Sequence, residues 1–298
     1  MLGAYRWGLW GWGLLLWLLL LSAAAGARAA GQSARGEVLA FVSDRGGQRD
    51  IYVMDVYSGI IFNITHDRYF DDAPAWSPNG DLVFESYRGR SAGALFMADA
   101  ATYQIRQLTS NSGAFTPAWS PRGELAYVAT RANNLEVLLF DFSGGRAENL
   151  SNSRASELNP AWSADGRLAF ESYREEDETS GGGRLYIVDV ESGTERNIHN
   201  SENFYDPAWS PDGRLAVVSG RSGSADIYLL DVSRGTTERI TDSLLDETQP
   251  AWSAAGWLAY VVGQNEGMGE IYALHPQTGV VRNLTNSGFN DFAPAWMP

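Results

Sequence analysis

The tripeptide Pro-Ala-Trp occurs six times in this chain, with its Trp at positions 76, 119, 162, 209, 252 and 296. The intervals are 43, 43, 47, 43 and 44 residues. Self-similarity at such a period restricts the fold to repeat architectures, in which each unit buries its apolar surface against its neighbours. The same series follows each of the first five copies. Ser77-Pro78-Asn79-Gly80, Ser120-Pro121-Arg122-Gly123 and Ser210-Pro211-Asp212-Gly213 read as tight turns, where Pro presets φ and Gly supplies a positive φ. The segments 163–166 and 253–256 keep this frame without the Pro. A short apolar run comes next, as in Leu82-Val83-Phe84 and Leu168-Ala169-Phe170, and a polar loop leads to a second run such as 51–55 or 185–189. A closing segment such as Arg282-Asn283-Leu284-Thr285 completes the unit.

Four short strands per unit, with no helical periodicity, predict an all-β, six-bladed β-propeller with four-stranded blades. With strands named A to D, Pro-Ala-Trp lies on strand A. The first unit, from about Glu37, has strands B, C and D but no Pro-Ala-Trp before it, and the copy at 294–296 has only Met297 and Pro298 after it. The C-terminal strand A is therefore expected to join the N-terminal strands B, C and D and close the ring, which leaves no open sheet edge at the join. The propeller is assigned to residues 37–298, preceded by a linker at 30–36 and a leader at 1–29.

The leader reads as an export signal or an N-terminal membrane anchor. No charged residue occurs from Trp7 to Ala27, Leu14 to Leu21 form an apolar centre, and Ala27-Arg28-Ala29 offers a small-x-small cleavage site. Residues 7–27 are also long enough to span a bilayer, with Trp7, Trp10, Trp12 and Trp17 suited to an interfacial belt. Either reading places the remainder outside the cytoplasm, in the periplasm or at the cell surface. Composition agrees, because a chain with no Cys folds in an oxidising compartment without a disulfide framework.

Composition also removes chemistries. All 22 basic residues are Arg, so Schiff-base, Ser-Lys and P-loop chemistry are absent. A net charge of −14 argues against nucleic acid as a partner. Three His (His66, His199, His275) and no Cys leave no basis for a metal centre, and no cofactor is expected. Gly89-Arg90-Ser91-Ala92-Gly93 matches a nucleophile-elbow pattern but falls between two strands rather than at a strand-to-helix turn, so it is not assigned to catalysis. Asn63, Asn149 and Asn283 sit in Asn-x-Ser/Thr triplets that the strand D repeat itself explains.

The consensus Pro-Ala-Trp-Ser-Pro-Asp-Gly-x-Leu-Ala-Phe, then Asp-Ile-Tyr-x-x-Asp-Val and Arg-Asn-Leu-Thr, resembles the TolB-type propeller repeat, in register across residues 37–298. It is similar to WD repeats in architecture only, since the Gly-His and Trp-Asp signatures are missing. The resemblance implies a periplasmic propeller that binds an envelope protein; TolB proteins bind the peptidoglycan-associated lipoprotein and carry a separate α/β domain ahead of the propeller. This sequence shows the propeller repeat without that domain. The same repeat also occurs in exported binding proteins, peptidase accessory domains and lyases.

Antiparallel strands place the B–C and D–A loops on one face, which carries the longest excursion, at Arg174 to Arg184, with Glu175-Glu176-Asp177-Glu178 and Gly181-Gly182-Gly183. Arg45, Arg88, Arg131, Arg174 and Arg221 recur just after strand B, with Gln264 in the sixth unit. They read as a ring of anion-binding Arg or, structurally, as partners of acids that open strand C (Asp50, Glu136, Asp226, Glu270) or stand three residues before the Pro (Asp71, Glu157, Glu247, Asp291). Units 2 and 4 differ from the rest. Both read Phe-Glu-Ser-Tyr-Arg, with Glu85 and Glu171 where the other units have Val. A carboxylate at an apolar strand position is costly unless paired. Either Glu85 pairs with Arg88 and Glu171 with Arg174, or Glu85, Tyr87, Arg88, Glu171, Tyr173 and Arg174 form a recognition site. The six Trp are assigned to packing between blades.

The functional expectation is an exported, non-enzymatic, monomeric propeller that binds an envelope protein or peptide through the B–C/D–A face. The alternative is an extracytoplasmic hydrolase or lyase acting on carbohydrate or peptide, with Glu85 and Glu171 as its carboxylates.

Overall fold

The computed structural model describes residues 37–88, 92–102, 104–110, 113–131, 134–144, 147–174, 183–198, 203–263 and 268–298. The leader, the linker, the acidic run 175–178, Gly181, Gly182, His199, Gln264 and residues 89–91 lie outside this set. Among the described residues no helix is long and apolar enough to cross a membrane.

Twenty-four strands form six antiparallel four-stranded sheets. Blade 1 holds β1 (Val38–Ser43), β2 (Asp50–Asp55) and β3 (Ile61–Asn63). Blade 2 holds β4 (Asp71–Trp76), β5 (Leu82–Ser86), β6 (Ala94–Ala98) and β7 (Ile105–Gln107). Blade 3 holds β8 (Ala114–Trp119), β9 (Leu125–Arg131), β10 (Asn134–Phe140) and β11 (Ala147–Asn149). Blade 4 holds β12 (Glu157–Trp162), β13 (Arg167–Ser172), β14 (Arg184–Asp189) and β15 (Thr194–Asn197). Blade 5 holds β16 (Tyr205–Trp209), β17 (Leu215–Ser219), β18 (Asp226–Asp231) and β19 (Thr236–Arg239). Blade 6 holds β20 (Glu247–Trp252), β21 (Leu258–Val262), β22 (Glu270–His275) and β23 (Val280–Asn283). The last strand, β24 (Asp291–Trp296), pairs with β1 in blade 1, so the ring closes as the repeat phase requires.

Each strand A contacts the strand A of the next blade, and β24 contacts β4, so these six strands line the inside of the ring. The A–B turns carry Gly80, Gly123, Gly166, Gly213 and Gly256 at φ between 84 and 92°, where a side chain would be strained. The core is divided into six apolar wedges, one per blade junction. Strand alternation builds them: Val38, Ala40 and Val42 face blade 2, whereas Leu39 and Phe41 face blade 6. The repeat Trp fill the wedges. Trp76 packs on blade 1, and the indoles of Trp162 and Trp296 donate to the Ala118 and Ala251 carbonyls of the preceding blade, each at 3.1 Å.

One feature of strand A is common to all six blades. The residue before each repeat Pro (Ala73, Thr116, Asn159, Asp206, Gln249 and Ala293) has a left-handed φ between 44 and 53°. There the register shifts, and two residues of strand A oppose one of strand B; Ala73 and Pro74, for example, lie between the Asp72–Glu85 and Ala75–Val83 pairs. This is a β-bulge, and it accommodates Pro, which has no N–H to give the ladder. The bulge frees one backbone N–H per blade at the inner rim, and in blades 5, 6 and 1 a neighbouring blade's side chain accepts from it.

Candidate functional site

The loop face is built on the Arg that follow strand B. Arg45 stacks over Phe41 and Tyr52 and reaches Asp291 at 2.8 Å. Arg88 stacks over Phe84 and Phe96 and bridges Asp67 at 2.8 Å and Asp71 at 3.3 Å. Arg174 lies 4.2 Å over Tyr186 and pairs with Glu195 at 2.5 Å and Glu157 at 3.8 Å. Asp71, Glu157 and Asp291 are fully buried, so in blades 1, 2 and 4 the Arg neutralises the acid that stands three residues before the Pro. Burial still pushes the Asp71 carboxyl up to about 6, against the opposing hydrogen bond from Ser86 and the charge of Arg88. The acids that open strand C do not share these Arg. Asp50 accepts from Asn63, Glu136 from Ser151, Asp226 from Arg239 and Glu270 from Thr285, which ties strand C to strand D or the loop after it.

Glu85 does not pair with Arg88, nor Glu171 with Arg174. Alternation along the strand explains the correction: Glu85 shares the face of Val83, toward blade 3, while Arg88 covers Phe84, which faces blade 1. Each Glu instead meets the Tyr two residues on. Tyr87 hydrogen-bonds Glu85, and the Tyr173 hydroxyl donates to Glu171 Oε2 at 3.3 Å. The two Glu-Tyr pairs stand at different junctions, blade 2 with 3 and blade 4 with 5, and the Arg lie on the opposite sides of their blades. The six candidate residues thus form two Glu-Tyr pairs and two separate Arg-acid pairs rather than one constellation.

The two pairs differ in access. Glu85 lies opposite Asp72 and under Gly93, where an added Cβ would collide with the carboxylate. Burial, with Asp72 adding to it and Tyr87 opposing, pushes Glu85 from the usual 4.5 to about 7. Glu171 opens on a cleft of about 640 Å³ between blades 4 and 5, whose lining includes Asn159, Tyr173, Phe204, Tyr205 and Arg221. Its Oε1 accepts from Asn159 Nδ2 and from the bulge N–H of Asp206, both at 2.7 Å. Asn159 Nδ2 also donates to Asp206 Oδ1 at 2.9 Å, and Asp206 Oδ2 accepts from Gln249 N at 3.3 Å. Burial and the neighbouring Asp206 carboxylate push Glu171 from 4.5 to about 7, and burial raises Asp206 as well. Burial and Glu171 together push the Tyr173 hydroxyl up to about 12, so it stays a donor.

The sequence does not single out Asn159 or Arg221 as cleft residues, nor Asp206 as the neighbour of Glu171. One signal is present: polar residues precede the Pro in four successive units, at Thr116, Asn159, Asp206 and Gln249. Among the described residues no group of three or more His, Asp or Glu is arranged to hold a metal ion.

Six four-stranded blades around an inner ring of strands A, with the variable loops on one face, define a six-bladed β-propeller. The chain belongs to the TolB beta propeller domain family, whose model matches residues 22–157 and 124–298. No curated protein sequence matches it. Among solved structures it is similar to TolB from Acinetobacter baumannii, with 20% identity and a TM-score of 0.76 over 94% of this chain and 71% of that one. It is also similar to a putative TolB from Agrobacterium tumefaciens, with 18% identity and a TM-score of 0.67 over 90% and 100% of the two chains. An oligogalacturonate lyase from Vibrio parahaemolyticus shares the fold at 16% identity, with a TM-score of 0.53 over 84% and 73%.

Proposed function

We propose that this chain is an exported, non-enzymatic propeller that binds a protein or peptide of the cell envelope through the B–C/D–A face. The observation that carries the reading is an arc of exposed apolar side chains on that face. Leu244, Leu245, Met268, Phe289, Phe70 and Tyr87 stand in successive loops from the blade 5–6 junction through blades 6 and 1 to blade 2. Exposed apolar side chains in neighbouring loops, with polar residues around them, are a mark of protein interfaces. Similarity to TolB structures supports an envelope partner, and the leader-like N-terminal sequence supports export.

The test is site-specific photocrosslinking in the native envelope. A photoreactive phenylalanine replaces Met268 or Phe289 on the loop face, or Phe142 on the opposite face. Discrete protein adducts from 268 and 289 and none from 142 are expected. Adducts only from 142, or none from any position, would overturn the reading.

A further inference from the structure

We propose that the cleft between blades 4 and 5 receives a guanidinium or primary ammonium group, carried on a basic side chain of the bound partner segment. The inference rests on the loop face being the binding face, and it adds the chemistry of one contact.

The argument begins with a contrast in charge. The buried acids Asp71, Glu157 and Asp291 each face an Arg. Glu171 and Asp206 are held by neutral donors: Asn159, Tyr173 and two backbone N–H groups. Among the described residues neither makes a salt bridge, although Glu171 is only 2% exposed. Glu171 lines the cleft, shares the Asn159 amide with Asp206 behind it, and meets no cation among the described residues, so the carboxylate that the cleft presents suits a positive group.

The walls fit the same group. Tyr173 and Tyr205 present aromatic surface to the cleft, Arg221 already lying 5.2 Å over Phe204, and a cation against such rings gains about 0.5–2 kcal/mol once desolvated. Small residues keep the entrance open. The backbone of Gly183 lies against the Tyr173 ring, where an added Cβ would come within 3.0 Å, and Gly220 has open space before it.

Arg221, which also lines the cleft, does not serve as that group. Phe204 stands where blades 1, 2 and 4 place the Arg-bound acid, so Arg221 lacks that partner. Its guanidinium lies 3.8 Å over Tyr228 and donates to Thr237 on the outer strand of blade 5. The cleft is therefore bipolar, lined by the Glu171 carboxylate from blade 4 and the Arg221 guanidinium from blade 5. A basic side chain enters with its cation toward Glu171 and its backbone carbonyls toward Arg221.

Purified propeller is titrated by calorimetry with the tripeptide acetyl-Gly-Arg-Gly-amide, its neutral citrulline analogue, and ethylguanidinium as the free cation. The Arg peptide is expected to bind about tenfold or more tightly than the citrulline peptide, and this preference should vanish in Glu171→Gln and Asp206→Asn. The groups facing Glu171 are Asn159 from β12, Tyr173 after β13, and Tyr205 and Asp206 from β16, with Arg221 after β17. Ionisation of the carboxyl pair makes the wild-type preference for Arg grow from about pH 5.5 to about pH 8, whereas any residual binding by Glu171→Gln depends less on pH. Equal binding of the Arg and citrulline peptides, or no binding of either, overturns the cation assignment. Ethylguanidinium binding as tightly as the peptide overturns the partner side chain as its source. Either failure leaves the crosslinking test of the face untouched, because that test does not use this cleft. A folded state in the variants is checked by their melting temperatures, which should not fall below that of the wild type.

Discussion

Glu171 makes the sharpest test of the energetics, because its carboxyl is buried without a counter-charge. It titrates near 4.5 when unfolded and at about 7 when folded. Between those values the folded chain keeps a proton that the unfolded chain has released, so stability falls as pH rises through this window. The difference corresponds to about 3 kcal/mol of folding free energy, fully lost above about pH 7. Glu171→Gln carries no charge at any pH. Its amide oxygen still accepts from Asn159 and the Asp206 N–H, and its NH2 meets the Tyr173 oxygen. At about pH 8 the variant should be more stable than wild type by up to about 3 kcal/mol, or roughly 5–10 °C in Tm for a domain of this size. At about pH 4.5 the two should agree within about 0.5 kcal/mol. Urea unfolding followed by Trp fluorescence at the two pH values measures the difference. A variant less stable than wild type at about pH 8 would refute the reasoning, because the three donors would then more than offset the desolvation of the charge.

Other perturbations test other parts of the ring. Arg88→Met strips the counter-charge from buried Asp71 and should cost about 3 kcal/mol or more at pH above about 7, but less near pH 5, where Asp71 is protonated; an equal loss at both pH values would count against the pairing. Trp162→Phe forfeits the hydrogen bond to Ala118, so urea unfolding should show it costing about 1 kcal/mol more than Trp252→Phe, whose indole N–H has no partner among the described residues. Deletion of residues 293–298 removes most of β24 and uncovers the edge of β1, and the truncated chain should lose its cooperative thermal transition or aggregate on size exclusion; a transition unchanged from wild type would show that β24 is dispensable.

Fold and site were unequally legible in the sequence. The ring was readable because one turn chemistry and one Trp recur six times in phase, and closure followed from the single unpaired copy at 294–296. The Arg-acid ladder was readable in part, since Asp71, Glu157 and Asp291 keep a fixed offset from the Pro. The partners of Glu85 and Glu171 were not readable. Proximity in sequence favoured Arg88 and Arg174, but side-chain alternation sends these to the other side of the blade. Besides Tyr173 and Asn159, Glu171 meets Asp206, 35 positions away on the next blade, and the packing of blade 5 on blade 4 brings it there. The strand A bulge was hidden for another reason. Its left-handed residue is Ala, Thr, Asn, Asp, Gln or Ala in the six copies, so no shared side-chain chemistry marks the position.

That bulge gives the ring an uneven inner rim. From blade 4 to blade 1 the inner rim is laced in sequence: Glu171 to Asp206 N, Asp206 to Gln249 N, Gln249 to Ala293 N. At Ala293 the chain of acceptors stops at a methyl group. Ala73 turns to its own neighbour Asp72, and the Thr116 hydroxyl has no partner among the described residues. The side-chain lacing of the bulge N–H groups therefore spans one half of the ring, whereas blades 1 to 3 are joined by their apolar wedges, the Arg49–Asp72 pair and backbone hydrogen bonds such as Asp71 N–H to Arg49 and Ala114 N–H to Gly93. A partner seated on the loop face across both sectors would therefore rest on two kinds of inner rim, one laced by side chains from blade to blade and one not.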